Sequence, residues 1–365
     1  MFTRINTATL VGVEGYPVVV ETDVHRGMPC FNIVGLADIT IKEACKRIRP
    51  AIMNSGFAFP NERVTVNLVP AGKPKEGSHF DLPIALGIVI LGWEVKGGED
   101  AGRGDTAFLG EISLDGKVNT VRGALPIVMS MRRNGIKNIV LPLGNAEEVS
   151  ILEDMNLYPV GSLKEAADYI RGTGKNNIYK SKNTVRSEDF REDFSQVAGQ
   201  ENAKRAIVIG AAGNHGLLLV GGPGCGKTMM AKRIPTVLPN LTYEEKLEIT
   251  GIYSAAGLLS EECPIITKRP FRSPHTTISA IGVTGGGYIP RPGELSLAHR
   301  GVLFLDEMGE FESKTLDAIR QPVEDGYIRI KRNMVEVVFP SKVMIVAAAN
   351  KETSILIQAD TPVAA

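Results

Sequence analysis

Residues 215–239 read HGLLLVGGPGCGKTMMAKRIPTVLP. Leu217 to Val220 is a run of aliphatic residues that predicts a short buried strand. Gly221 to Thr228 then fits the spacing G-x-x-x-x-G-K-[ST] of a phosphate-binding loop, and a helix is predicted to begin where the loop ends. That order of strand, glycine-rich loop and helix is what the chemistry requires. Gly221, Gly222, Pro223, Gly224, Cys225 and Gly226 form a turn whose glycines allow positive φ angles, so that main-chain amides wrap an anion. Lys227 is expected to reach the β- and γ-phosphates, and Thr228 to ligate Mg²⁺.

Working outward, Gly301 to Glu307 (GVLFLDE) places two acids at the end of an apolar strand. Asp306 is expected to hold Mg²⁺ through water, and Glu307 to polarise an attacking water. Val346 to Asn350 is another apolar strand, closing on an amide, and Asn350 is expected to orient the same water. Lys227, Glu307 and Asn350 form the expected catalytic set, with Thr228 and Asp306 on the metal. Continuous apolar strands of this kind predict a parallel sheet covered on both faces.

Composition limits the alternatives. The chain has 365 residues, 43% hydrophobic and 22% charged, with a formal net charge of +0. That length suits two or three domains, and no global basic field drives binding to nucleic acid or membrane. Cys30, Cys45, Cys225 and Cys263 are far apart with no Cys-x-x-Cys pair, so free thiols in a reducing, cytoplasmic setting are expected. The five histidines, His25, His79, His215, His275 and His299, show no metal-ligand spacing.

Upstream of the loop, strands are predicted at Ala8 to Val13, Val18 to Val24, Phe31 to Val34 and within RVTVNLVPA. Helices are predicted over DITIKEACKRIRPAIMNSG, capped by Asp38 or Thr40, over FDLPIALGIVIL, over ALPIVMSMRRNG, and over SLKEAADYIRG between Ser162 and Gly172. A hairpin is expected to turn at Asp115-Gly116. Residues 1–172 are thus one α+β domain, 173–192 a polar linker, and 193–350 a second α/β domain of P-loop NTPase type.

Longer stretches carry a resemblance. RPFRSPHTTISAIGVTGGGYIPRPGELSLAHRGVLFLDEMGEF, DFSQVAGQENAKRAIVIGAAGNHGLLLVGGPGCGKT, YSAAGLL and IRQPVEDGYIRI resemble the magnesium-chelatase-like AAA+ ATPases of the YifB/ComM family. So do GLADITIKEACKRIRPAIMNSGFAFP, RVTVNLVPAGKPKEGSHFDLPIALGI and FLGEISLDGKVNTVRGALP in the first half. The resemblance implies a Lon-protease-like N-terminal domain and an AAA+ motor that binds ATP and Mg²⁺. It also implies assembly as a hexameric ring and, through ComM, ATP-driven branch migration of DNA. The family pattern SPHHT is replaced by Ser273-Pro274-His275-Thr276-Thr277, which puts the second histidine's role in doubt.

The resemblance places Ser78 where a Lon-type nucleophile sits. The lysine partner is missing from TVRGALPIVMS, where Pro126 lies near its expected place, so peptidase chemistry is expected to be absent unless Lys73 or Lys75 substitutes. Lys268-Arg269, Arg272, Arg291 and Lys331-Arg332 are expected to meet DNA phosphates, with Tyr288 stacking on a base. After Asn350 the family continues to an arginine finger and a helical lid. Residues 351–365, KETSILIQADTPVAA, do not resemble them, so an aberrant tail, a missing lid and impaired turnover are expected. A magnesium-chelatase motor subunit, an ATP-dependent peptidase and a non-catalytic nucleotide-binding protein remain the alternatives.

Overall fold

The computed structural model describes residues 1–93, 104–174, 177–181, 192–287, 290–332 and 335–350. The base-stacking expectation for Tyr288, most of the predicted linker and the 351–365 tail lie outside the described residues. The chain divides into two units: Met1–Thr184 with Ser254–Ile265, and Val185–Tyr253 with Ile266–Ala365.

In the first unit, β1 (Phe2–Val11) and β2 (Glu14–His25) form an antiparallel pair that turns at Gly12, φ +66°. Both are longer than the sequence predicts, because Thr3, Thr7, Thr9 and Thr22 are buried like apolar residues. β3 (Cys30–Val34) leads into α1 (Ile39–Asn54), which Asp38 caps by accepting from the Ile41 N–H at 2.8 Å. β4 (Arg63–Val69) follows, then α2 (Asp81–Leu91), which is buried over nearly its whole surface. Gly87 lets α2 lie against the sheet: a Cβ there would stand 2.5 Å from Thr22 Oγ1.

The rest of the unit comprises β5 (Thr106–Phe108), β6 (Glu111–Ile112), β7 (Val118–Asn119), α3 (Ala124–Arg133), β8 (Asn138–Pro142), α4 (Ala146–Val149), β9 (Asn156–Val160) and α5 (Leu163–Arg171). β6 and β7 make the hairpin that turns at Asp115-Gly116, while β5 joins the main sheet. Ser162 and Gly172 bound α5 as predicted. The main sheet is mixed and seven-stranded, in the order β3-β4-β2-β1-β5-β8-β9.

The second unit opens with α6 (Glu201–Gly213), β10 (Leu217–Val220), α7 (Lys227–Arg233) and α8 (Tyr243–Ala256). It continues with β11 (Phe271–Arg272), α9 (Ala280–Thr284), β12 (Gly285–Gly286), β13 (Arg291–Pro292), α10 (Glu294–Leu297) and β14 (Val302–Leu305). α11 (Ser313–Asp325), β15 (Tyr327–Arg332), β16 (Val335–Pro340) and β17 (Met344–Ala349) complete it. The central sheet is parallel, in the order β10-β17-β14-β11. β14 is fully buried, as an apolar strand inside a parallel sheet must be. β10 departs from that expectation. It is an edge strand among the described residues, and Leu218 and Val220 are 49% and 47% exposed. No helix of the described residues is long and apolar enough to cross a membrane.

Two buried ionisable groups of the first unit oppose each other. Burial pushes the His79 imidazole down to about 4, and its Nε2 donates to the Ala8 carbonyl at 2.9 Å. Burial pushes the Asp81 carboxyl up to about 6, against the pull of Arg47, which bonds both its oxygens at 3.2 Å. A histidine depressed by folding loses stability as pH falls from its ordinary value near 6.5 towards 4, whereas a carboxyl raised by folding gains stability as pH falls from 6 towards its ordinary value. Each is worth at most about 3 kcal/mol. Urea unfolding of the whole chain between pH 7 and about 4.5 is therefore expected to tilt oppositely in two variants: His79→Gln grows more stable in acid relative to the parent, and Asp81→Asn less.

Candidate nucleotide and magnesium site

The sequence dictates a turn at Gly221–Gly226, and the structure makes it through two left-handed glycines. Gly224 has φ +74° and Gly226 φ +89°, and Gly226 stands immediately before α7. A Cβ at Gly222 or Gly224 would meet nothing within 4 Å, so the space over the loop is open. The Gly221 N–H donates to the Ala349 carbonyl at 3.2 Å, which fixes the start of the loop against the end of β17.

Two contacts close the site. Thr228 Oγ1 donates to Asp306 Oδ2 at 2.8 Å, and Lys227 Nζ donates to Asn350 Oδ1 at 3.1 Å. Lys227 also donates to the carbonyls of Gly221 and Gly222, at 2.7 and 3.1 Å. Residues from the ends of three adjacent parallel strands, β10, β17 and β14, therefore meet in one place. The other Asp306 oxygen accepts the Glu307 N–H at 3.1 Å. Glu307 has φ +52°, a left-handed conformation that costs a non-glycine residue on the order of 1–2 kcal/mol. Such strain is found at functional turns more than elsewhere.

These residues fit a magnesium nucleotide. The donor set is a hydroxyl and a carboxylate, hard oxygens of the kind Mg²⁺ takes one or two of while keeping its waters. The open space lies above a loop of turned amides beside a lysine.

Other sequence-derived residues fall elsewhere or have different tasks. Arg269 donates to Glu245 at 3.1 Å and to the carbonyls of Pro239 and Arg300. Arg272 makes two 2.7 Å bonds to Glu294. Both arginines are spent inside the second unit rather than offered to phosphates, a correction to the grouping of basic residues made from sequence. The reason is physical: 24 and 22 residues away in sequence, the acids on α8 and α10 were invisible as their partners until the fold closed.

In the first unit, the Ser78 hydroxyl donates to Glu111, and among the described residues no lysine is bonded to it. Lys75 is fully buried, with its ammonium bonded to the carbonyls of Gly35 and Pro70, and desolvation lowers its pKa. Lys73 Nζ lies 3.1 Å from the centre of the Tyr16 ring. Sequence reasoning also missed the ionic group formed by Glu245, Glu248, Arg269, His299 and Arg300. No motif signals it, since its members come from three separate segments.

Comparisons with known proteins give the family. The sequence model described as "Magnesium chelatase, subunit ChlI" matches residues 193–361, and that described as "Subunit ChlI of Mg-chelatase" matches residues 20–145. The chain is 40% identical over 347 residues to the Escherichia coli "Uncharacterized protein YifB", covering 95% of this chain and 67% of that protein. It is 40% identical over 353 residues to the Haemophilus influenzae "Competence protein ComM", covering 93% and 67%. The chain belongs to the magnesium-chelatase-like YifB/ComM family. Likeness to the "Magnesium-chelatase 38 kDa subunit" of Cereibacter sphaeroides is narrower, 23% over 175 residues and 44% of this chain.

The backbone angles make a stability test. Gly226→Ala places a Cβ at φ +89° and is expected to destabilise the chain by about 1–2 kcal/mol. Glu307→Gly relieves a left-handed strain and is expected to be neutral or stabilising by up to about 1 kcal/mol. Denaturant midpoints of the two variants check both signs.

Proposed function

We propose that the chain is an AAA+ ATPase subunit that binds ATP with Mg²⁺ and, in its ring-forming family, couples hydrolysis to remodelling of DNA. The observation that carries this reading is the convergence of Lys227, Thr228, Asp306 and Asn350 where the ends of β10, β14 and β17 meet. On this reading the loop Gly221–Gly226 holds the phosphates and Lys227 moves from the Gly221 and Gly222 carbonyls onto the β- and γ-oxygens. Thr228 and Asp306 hold the metal, which neutralises phosphate charge. Glu307 accepts the proton of the attacking water, and Asn350 orients that water.

The DNA part rests on a two-stranded ribbon. β15 and β16 pair antiparallel, and Tyr327, Arg329 and Lys331 alternate onto one exposed face. Arg329 lies 5.6 Å above the Tyr327 ring and pairs with Glu336 at 3.1 Å. Successive cations on one strand face stand about 7 Å apart, close to the phosphate spacing of a nucleic-acid strand. The printed name of the Haemophilus relative, a competence protein, supports the same direction.

The alternatives are weaker. A chelatase motor role is disfavoured because the Cereibacter 38 kDa chelatase subunit aligns with 44% of this chain at 23% identity, against 95% at 40% for the Escherichia coli YifB. For the first unit we propose a Lon-protease-like fold without peptidase chemistry: Ser78 is held by a carboxylate, and Lys75 and Lys73 are occupied elsewhere.

Titration of the purified chain with a fluorescent ATP analogue tests the nucleotide reading. Lys227→Ala is expected to weaken binding at least tenfold, and Thr228→Ala to abolish the gain that Mg²⁺ confers; unchanged affinity in Lys227→Ala sinks the assignment. For DNA, replacing both Arg329 and Lys331 by Ala is expected to reduce the slope of log affinity against log salt by about 1.4 for single strands. An unaltered slope removes the ribbon from the DNA contact.

A further inference from the structure

The ends of β14 and β17 remote from the phosphate loop are tied together by main-chain bonds and by one imidazole. His299 is 2% exposed. Its Nδ1 is 3.1 Å from the Lys342 backbone N–H. An amide only donates, so Nδ1 accepts and the neutral ring carries its proton on Nε2. Nε2 then donates to Glu248 Oε2 at 3.1 Å. A return bond runs from the Arg300 N–H to the Lys342 carbonyl at 2.6 Å, with Arg300 held left-handed at φ +60°. The next rung, Met344 N–H to the Gly301 carbonyl at 2.9 Å, begins the β14–β17 ladder, which pairs Val302 with Met344 and Leu305 with Ala347.

Glu248, Arg300 and Lys342 act on the charge of this ring, and Glu245 and Arg269 join the group through Arg300. Glu245 and Glu248 come from α8, Arg269 from the loop before β11, Arg300 from the turn before β14, and Lys342 from the turn before β17. Arg300 pairs with Glu248 at 3.0 Å and Glu245 at 3.6 Å, and Arg269 with Glu245 at 3.1 Å. The set braces the two turns against α8. Strands transmit such placement with little loss, since each residue advances about 3.3 Å along a hydrogen-bonded ladder.

We infer that His299 is a positioning residue for the magnesium–nucleotide site: by joining the turn before β14 to the turn before β17 it sets the stagger that brings Asp306 and Asn350 to their common place. This rests on the reading of Asp306 and Asn350 given above. A second proton, on Nδ1, would oppose the Lys342 N–H and break the link. Burial holds the ring below its ordinary pKa, Glu248 pulls the other way, and Arg300 and Lys342 add to the depression. The link is therefore intact at neutral pH and is lost as pH falls through that lowered value.

The test measures affinity for the ATP analogue with and without Mg²⁺ from about pH 8 down to the acid limit of the folded chain. His299→Leu leaves the Lys342 N–H without an acceptor and is expected to lower the magnesium-dependent gain roughly tenfold, with magnesium-free affinity within twofold. His299→Asn puts an oxygen where Nδ1 stood. It is expected to restore most of the gain and to keep it at acid pH, where the parent loses it. Equal losses with and without Mg²⁺ in His299→Leu mark a merely structural histidine and overturn the inference. So does an Asn variant whose gain declines with pH as the parent's does, a comparison that stands even where the Leu variant does not fold. Failure of Lys227→Ala to weaken binding would instead refute the nucleotide reading, whatever the histidine variants do.

Discussion

The second unit depends on one constraint: three strands run parallel and in register. Parallel pairing puts the C-terminal ends of β10, β17 and β14 on one edge of the sheet, and each strand ends in a group with chemistry to offer. β10 runs into the glycine loop, β17 ends at Asn350, and β14 ends at Asp306 and Glu307. Ligands of open α/β sheets bind outside such ends because only there does the backbone turn away from the ladder and leave amides and side chains unpaired. The Lys227–Asn350 and Thr228–Asp306 bonds are the consequence of that alignment.

The opposite edge of the same sheet is held by charge. Arg269, Arg300, Glu245, Glu248 and His299 satisfy one another and several backbone carbonyls. A half-buried guanidinium with carboxylate and carbonyl partners is costly to disrupt, because removing one member leaves the others without solvent to replace it. The same pairing separates the basic side chains of the unit: Arg269 and Arg272 are engaged inside it, while Arg329 and Lys331 of β15 stand exposed.

In the first unit the same economy of partners governs the residues around Ser78. Glu111 takes the serine hydroxyl, Arg47 takes Asp81, and Lys75 turns inward to two carbonyls. Each polar group sits beside a partner that satisfies it and restrains its reactivity.

The sequence by itself determined several elements of the first unit and the strand, loop and helix around the phosphate loop. Periodicity and capping placed α1 and α5 and the strands at Arg63–Val69 and Val302–Leu305, because those patterns depend on neighbours a few residues away. Lys227, Thr228, Asp306 and Asn350 could be singled out because spacing within a loop or at a strand end is local, and the fold brings them together. What only tertiary structure decided was pairing between distant segments. It extended β1 through threonines that look exposed in sequence, left β10 as a half-exposed edge strand, turned two arginines inward, and made His299 a bridge between two turns. A hydrogen bond across 43 residues leaves no periodic trace in the chain, since it depends on where the backbone returns and not on what stands next to it.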